Sequence, residues 1–397
     1  MKRAVLAYSG GLDTSVAIPW LSEQGWEVIA VAVDVGQPED LGSTITRAET
    51  LGAVEARLEN AIDSFATEYV APALHMNAAY QGQYPLVSAL SRPLISKVLV
   101  DVARQTGAEA VAHGCTGKGN DQVRFETSLS ALAPDLEVLA PVRDWGMSRT
   151  ETIAYAEERE LPITTTKTSP YSIDENLWGR SVECGVLEDP WATPPEDVFT
   201  MTASPWDAGP PPDEMTIEFR DGIPAAVDGD SLSLASVVER VGRAAGASGF
   251  GRIDIVEDRL VGIKSREIYE APGAMALISA HRDLEGLTLE RGLAAEKRRL
   301  EITWAELVYR GLWFSPLREA LDAFARSSQE RVTGEVRLRF ASGSCTPVGR
   351  RSPVSLYDES LATYESGDAF GHEDAAGFVR LWSLPTTQWA RASDRRD

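Results

Sequence analysis

The chain opens on a strand, a glycine turn and a helix compressed into its first two dozen residues, and few folds accommodate that order. Val5-Leu6-Ala7 is a short apolar run that reads as a buried strand, and a helix is expected from Ser15 to Gln24, interrupted and kinked by Pro19. Between them lies Ala7-Tyr8-Ser9-Gly10-Gly11-Leu12-Asp13-Thr14-Ser15. Gly10 and Gly11 permit backbone angles and a close ligand approach that side chains would block. Backbone N–H groups and the positive end of the helix dipole make such a turn an anion site. Ser9, Thr14 and Ser15 add hydroxyl donors. The turn lacks the lysine of the Walker pattern G-x-x-x-x-G-K-S/T. It carries Asp13 instead, a carboxylate that repels phosphate unless a cation lies between them. The plainer alternative is a strand–helix turn capped by Asp13, Thr14 or Ser15.

The alternation continues. Val28 to Val35 reads as a strand buried on both faces, and a short strand is expected near Val54 to Leu58, flanked by helices at 43–51 and 61–71. A long helix is expected from about Ser88 to Gln105, then a strand from Ala108 to His113, a helix at 121–132, a strand from Val138 to Val142 and a helix at 148–159. Ser148 and Glu151 fit the capping box at the start of that last helix. Strand–helix alternation of this kind argues an open α/β domain with a doubly wound parallel sheet, whose ligands lie at the carboxyl ends of the strands. The pattern then changes. A proline-rich stretch from Asp189 to Asp213, including Pro210 to Pro212, reads as a loop or boundary. An α+β region follows: a hairpin around Arg220-Asp221-Gly222, a helix at 232–245, a strand at 254–263, helices at 289–311 and 316–328, a strand from Glu335 to Phe340 and a second β-rich patch. Residues from Pro385 onward read as a polar tail or short arm.

Charge narrows the partners. With 60 acidic against 38 basic residues, a net charge of −22 argues against a nucleic-acid backbone as ligand. An anionic substrate must then be held by local donors. Three dispersed cysteines and four scattered histidines make neither a disulfide framework nor a zinc site. No apolar run approaches a membrane span, and the N-terminal apolar stretch is too short for a signal peptide, so a cytoplasmic protein is expected.

A second loop, His113-Gly114-Cys115-Thr116-Gly117-Lys118-Gly119-Asn120-Asp121-Gln122-Val123-Arg124-Phe125-Glu126, places three glycines around one lysine before the helix at Asp121. Alone it could be a flexible turn with Asp121 as N-cap; two such loops at adjacent strand ends point to one nucleotide site. S-G-G-L-D-T-S resembles the pyrophosphate loop of the ATP pyrophosphatase superfamily, and with the second loop the chain resembles the argininosuccinate synthase family. Ser91-Arg92-Pro93, Tyr171 to Leu177, Gly251 to Glu257, Lys264-Ser265-Arg266 and Ser352-Pro353 extend the likeness over nearly the whole chain.

That resemblance implies a ligase that condenses citrulline with aspartate, using ATP with Mg²⁺, through citrullyl-AMP. It implies ATP contacts from Ala7, Tyr8, Ser9, Gly10, Gly11, Leu12, Asp13, Thr14, Ser15, Val33 and Gly114. Thr116, Asn120 and Asp121 match the aspartate positions, and Tyr84, Asn120, Arg124, Ser172, Ser181, Glu257 and Tyr269 the citrulline positions. Asp13, Asp121 and Arg92 are the expected catalytic residues, with no resident protein-held metal. Residues 1–165 are expected to be the nucleotide-binding domain, 166–384 a synthetase and multimerisation domain and 385–397 a C-terminal arm, in a homotetramer. One departure stands out: Ala89 occupies a position where some relatives carry serine, and Ser88 beside it is expected to point about 100° away on a helix. A tRNA-thiolating or amidotransferase-linked pyrophosphatase fits less well, lacking here cysteine pairs, basic charge or a glutaminase region. A sensor that holds ATP uncleaved is the alternative of another class.

Overall fold

The computed structural model describes residues 2–162, 171–206, 213–364 and 369–393. Its first five strands, β1 (Lys2–Ala7), β2 (Trp26–Asp34), β3 (Glu55–Asn60), β4 (Ala110–Ala112) and β5 (Glu137–Leu139), form one parallel sheet in the order β3-β2-β1-β4-β5. Val28 to Val33 of β2 are all buried, which is why this strand reads as an unbroken apolar run. The winding reverses between β1 and β4. A crevice opens there at the strands' carboxyl ends, and both glycine loops emerge into it.

Helix α1 (Leu12–Glu23) starts earlier than expected, with Gly11 as an extended N-cap that offers no side-chain cap. The helix runs through Pro19 rather than stopping, because Val16, Ala17, Ile18 and Leu21 are fixed by burial. Helix α2 (Leu41–Thr50) is capped by Asp40, which accepts from the Gly42 and Ser43 N–H groups. The helix Val87–Thr106 runs past Pro93 beneath the sheet, entered from Leu86 at φ 66, a left-handed angle unusual for leucine. The capping box is closed in both directions: Ser148 accepts from the Glu151 N–H and the Glu151 carboxylate accepts from the Ser148 N–H at 2.7 Å. A short helix, Pro141–Trp145, stands just beyond β5 where strand was expected to continue.

The second half carries two antiparallel sheets. β6 (Ser172–Asn176), β7 (Gly179–Glu183), β11 (Arg252–Asp258) and β12 (Lys264–Glu270) form the order β11-β12-β7-β6, while β8 (Asp213–Arg220), β9 (Ile223–Val227), β10 (Asp230–Ser231), β13 (Gly334–Ala341) and β14 (Ser344–Arg351) form β10-β9-β8-β13-β14. The expected hairpin is β8–β9, turned by Asp221 at φ 49 and Gly222 at φ 77. The single strand expected at 254–263 is instead the hairpin β11–β12, which turns over 259–263. Strand alternation gives β12 two distinct rows. Ser265, Glu267 and Tyr269 face one way; Arg266, Ile268 and Glu270 face the other. Glu270 anchors the passing chain, accepting from the Thr200, Met201 and Thr202 N–H groups and the Thr202 hydroxyl at 2.7–3.0 Å. Ile268 packs with Val182, Leu187 and Val198.

The helix Pro272–Thr288 has no counterpart in the sequence reading: it is buried on most sides, so it shows no polar face. Its Ala274, Leu277 and Leu284 join the same core as Val5, Ile29 and Leu99. The proline run 210–212 and the expected boundary at 165/166 lie outside the described residues. Residues 2–354 form one compact unit and 355–393 another. Within the second unit, the helices Glu359–Ala362, His372–Trp382 and Leu384–Ser393 bury no side chain. The stretch expected to be a polar arm is therefore mostly helix, with Pro385 in its first turn and Trp389 exposed.

Candidate active site

A cavity of about 770 Å³ opens at the crevice and joins both loops to the antiparallel face of β6, β7, β11 and β12. Ala7, Tyr8, Ser9, Gly10, Gly11, Asp13, Thr14, Val33, Gly114 and Thr116 line one part. The loops touch: a Cβ on Gly114 would lie 2.6 Å from the Thr14 methyl, so only glycine fits there. Gly10 has φ 74, and Arg47 donates to its carbonyl at 2.8 Å. Leu12 and Ser15, also expected at the nucleotide, do not line the cavity. Leu12 packs with Val16, Ile153 and Ala156, and the Ser15 hydroxyl lies 3.3 Å from that of Tyr8. Burial raises the Asp13 pKa against the pull of Arg149.

Below the second loop, charges interlock. Arg92 donates from Nε to Asp121 at 2.9 Å and from Nη2 to Asp174 at 2.7 Å. Arg124 donates to the other Asp121 oxygen at 2.8 Å and to the Tyr309 carbonyl at 3.1 Å. Burial alone would lift the Asp121 pKa, but the two guanidinium groups outweigh it and hold the carboxyl at about 2. Asp121 is a fixed anion and a poor proton acceptor. It is the first residue of its helix, not the cap; Asn120 holds the N-cap position without a capping bond. The Asn120 side chain is instead tied on both sides, donating to the Tyr309 hydroxyl at 2.8 Å and accepting from the Leu260 N–H at 2.9 Å.

The far wall is aromatic and acidic. Tyr84 stacks on Tyr269 with centroids 4.1 Å apart, and its hydroxyl accepts from the Ser88 N–H at 3.0 Å. Tyr269 donates to Glu257 Oε1 at 2.6 Å. Glu257 is 2 % exposed, and its Oε2 has no hydrogen-bond partner among the described residues. The neighbouring Tyr309 hydroxyl donates to the Asp258 carbonyl at 3.0 Å. Burial raises the Glu257 pKa, and Tyr269, Arg124 and Tyr309 pull it down without cancelling that rise. Ser172 and Ser181 line the same wall. Ser88 lines the cavity and Ala89 does not, so a hydroxyl reaches the site one residue before the position where some relatives carry serine.

Sequence reasoning missed several cavity residues. Asp174, within the Tyr171–Leu177 stretch, lines the cavity and accepts from Arg92, and its acidity is the only signal the sequence offers for it. Arg259, Glu183 and Glu267 form a cluster that only the hairpin brings together, Arg259 donating to Glu267 at 2.6 Å and to Glu183. Tyr309, from a helix far along the chain, stands behind the lining and acts on it by accepting from Asn120. No group of three or more His, Cys, Asp or Glu residues able to hold a metal occurs among the described residues. His113, beneath the second loop, takes the Cys115 N–H on Nδ1 and lies 3.3 Å from Glu126 through Nε2.

Residues 3–162 match the family model described as Arginosuccinate synthase N-terminal HUP domain, and residues 171–389 match Arginosuccinate synthase C-terminal domain. An argininosuccinate synthase of Halalkalibacterium halodurans is 56% identical over 385 residues, 97% of this chain and 94% of the relative. One from Gloeobacter violaceus is 55% identical over 98% of each chain. A solved 4-thiouridine synthetase–RNA complex with bound ATP aligns over 40% of each chain at 19% identity and a TM-score of 0.30, too weak a likeness to carry an argument. No helix among the described residues is long and apolar enough to cross a membrane.

Proposed function

The chain belongs to the argininosuccinate synthase family, a family of ligases, and from that premise we propose that it joins citrulline to aspartate through citrullyl-AMP, releasing AMP and pyrophosphate, as a step of arginine biosynthesis. The observation that carries the reading is the Glu257 Oε2 atom, buried without a partner in the same cavity as the Ser9–Ser15 loop. A buried carboxylate oxygen needs a donor, and the α-ammonium of an amino-acid substrate supplies one. Tyr84, Tyr269, Ser172 and Ser181 surround that position, and Arg124 stands ready for the α-carboxylate. The first loop holds the ATP phosphates with backbone N–H groups and the Ser9 and Thr14 hydroxyls.

The ureido oxygen of citrulline then attacks the α-phosphorus, the bond to the β-phosphate oxygen breaks, and pyrophosphate leaves with that electron pair. A ureido oxygen is enriched by resonance and needs no prior deprotonation, so positioning and charge stabilisation carry this step. The aspartate α-ammonium next gives up a proton to solvent, and its free amine attacks the activated carbon. The carbon–oxygen bond breaks, AMP departs with the former ureido oxygen and that electron pair, and the new carbon-bound nitrogen loses its second proton to solvent. Asp121, with Thr116 and Asn120, orients the aspartate ammonium as a fixed anion, and Arg92 holds Asp121 and Asp174 in place. Mg²⁺ fits the first loop: Asp13 is a half-buried carboxylate with no hydrogen bond among the described residues, set beside two hydroxyls 3.2 Å apart. When bound, the ion offsets phosphate charge. We read residues 1–165 as the nucleotide-binding part and 166–384 as the synthetase part of a cytoplasmic homotetramer without nucleic-acid or membrane partners.

Citrulline labelled with ¹⁸O in the ureido group tests this. The label is expected in AMP, with citrulline-dependent pyrophosphate release. Label in inorganic phosphate, or ADP as product, overturns the reading; a sensor would release no pyrophosphate at all.

A further inference from the structure

We propose that Arg259 is a positioning residue that makes the citrulline and aspartate sites depend on each other. The proposal rests on the substrate assignment above. Arg259 opens the β11–β12 turn, two residues after Glu257, and its guanidinium reaches β12, β7 and the second loop. Nε donates to the Ser265 hydroxyl at 2.7 Å; Nη1 donates to the Lys118 carbonyl at 3.4 Å; Nη2 donates to Glu267 at 2.6 Å and to Glu183. The next residue continues the link, since the Leu260 N–H donates to Asn120 at 2.9 Å. The residue before it does too: the Asp258 carbonyl accepts from the hydroxyls of Tyr80 and Tyr309, both at 3.0 Å.

The first two residues of the turn thus hold the aspartate loop, Arg259 through Lys118 and Leu260 through Asn120. The turn's strands carry Glu257 on one side and Glu267 and Tyr269 on the other, all lining the cavity. A shift of the second loop around aspartate moves Lys118 and Asn120, and the turn follows because Arg259 and Leu260 hold both. Charge reinforces the tie. Glu183 and Glu267 share one guanidinium. Burial and then the Glu183 charge raise the Glu267 pKa to about 8, and Arg259 opposes that rise. Without it the two acids cannot both stay ionised beside Glu257. Lysine cannot replace the fork, having a point charge that satisfies one or two of the four partners.

Calorimetry with a non-hydrolysable α,β-methylene ATP analogue tests the proposal on the full chain. In the wild type, aspartate is expected to tighten citrulline binding about fivefold or more, and citrulline to tighten aspartate by the same factor, as linkage requires. In Arg259→Ala that factor is expected to fall to about one while the analogue binds as before. Arg259→Lys, which keeps a charge against Glu267, should lie between and serves if the alanine variant does not fold. Coupling retained in Arg259→Ala, coupling absent from the wild type, or loss of analogue binding together with both amino acids overturns it. A wild type that binds neither citrulline nor aspartate overturns the substrate assignment itself.

Discussion

Replacing Glu257 by glutamine should strengthen the free protein and weaken the enzyme. In the structure Oε1 is satisfied by Tyr269 at 2.6 Å, while Oε2 is buried without a donor. Glutamine keeps the acceptor and the shape, and it removes a desolvated charge. An unsatisfied buried polar group costs about 1–3 kcal/mol and a charged one more, so the variant without substrate should gain on the order of 1 kcal/mol. The gain depends on pH. The folded pKa of Glu257 is raised by burial, so its contribution is fully favourable below the ordinary glutamate range and is lost as pH rises through the folded value. The two proteins should therefore melt alike in acid and diverge as pH rises beyond the ordinary glutamate range, with the variant the more stable. Substrate reverses the order. A hydrogen bond to a charged group contributes about 1.5–3 kcal/mol, which is roughly 10- to 140-fold in affinity. The citrulline KM should rise by that factor while the ATP KM holds. Thermal melts at two pH values and steady-state kinetics measure both halves. An unchanged citrulline KM, or a variant less stable than the wild type at high pH, refutes the role given to Oε2.

Asp13→Ala should fold normally and lose most citrulline-dependent pyrophosphate release; turnover like the wild type at saturating ATP and Mg²⁺ argues against a role at the phosphates. Asp121→Ala should slow argininosuccinate formation more than pyrophosphate release in a single turnover, and an equal fall in both would leave Asp121 as the brace between Arg92 and Arg124 alone. Ser148→Ala opens the capping box and should cost about 1 kcal/mol in calorimetric stability with kcat unchanged; no loss of stability would show the box to be redundant.

The first half of the fold was legible because its signals are local. Gly10 and Gly11 mark the turn, β2 is an apolar run, and Ser148 with Glu151 announces a helix that starts at the next residue. The second half misled where tertiary packing overrode pattern. Leu260, Val261 and Ile263 extend the apolar look of β11, yet they form a turn around Gly262 at φ 89, with Val261 and Ile263 exposed. Pro272–Thr288 is walled in by other elements and so lacks the two-sided pattern that marks a surface helix. The site divided in the same way. The two glycine loops were legible as strand–turn–helix units, and their residues took their parts from the family resemblance. Arg259 and Tyr309, by contrast, matter through contacts with a loop more than 130 residues away in the chain. Nothing near them in sequence reports that.

The two rows of β12 have a consequence for how such a chain can change. Tyr269 and Glu267 look into the cavity, while Ile268 and Glu270 hold the opposite side together. Inserting or deleting one residue in this strand would exchange the rows, turning Ile268 toward substrate and pulling Glu270 from the three amides it gathers. Binding and folding would fail in one step. Substitutions can explore the cavity face one side chain at a time, but the length of this strand is fixed from behind by an anchor that substrate never meets.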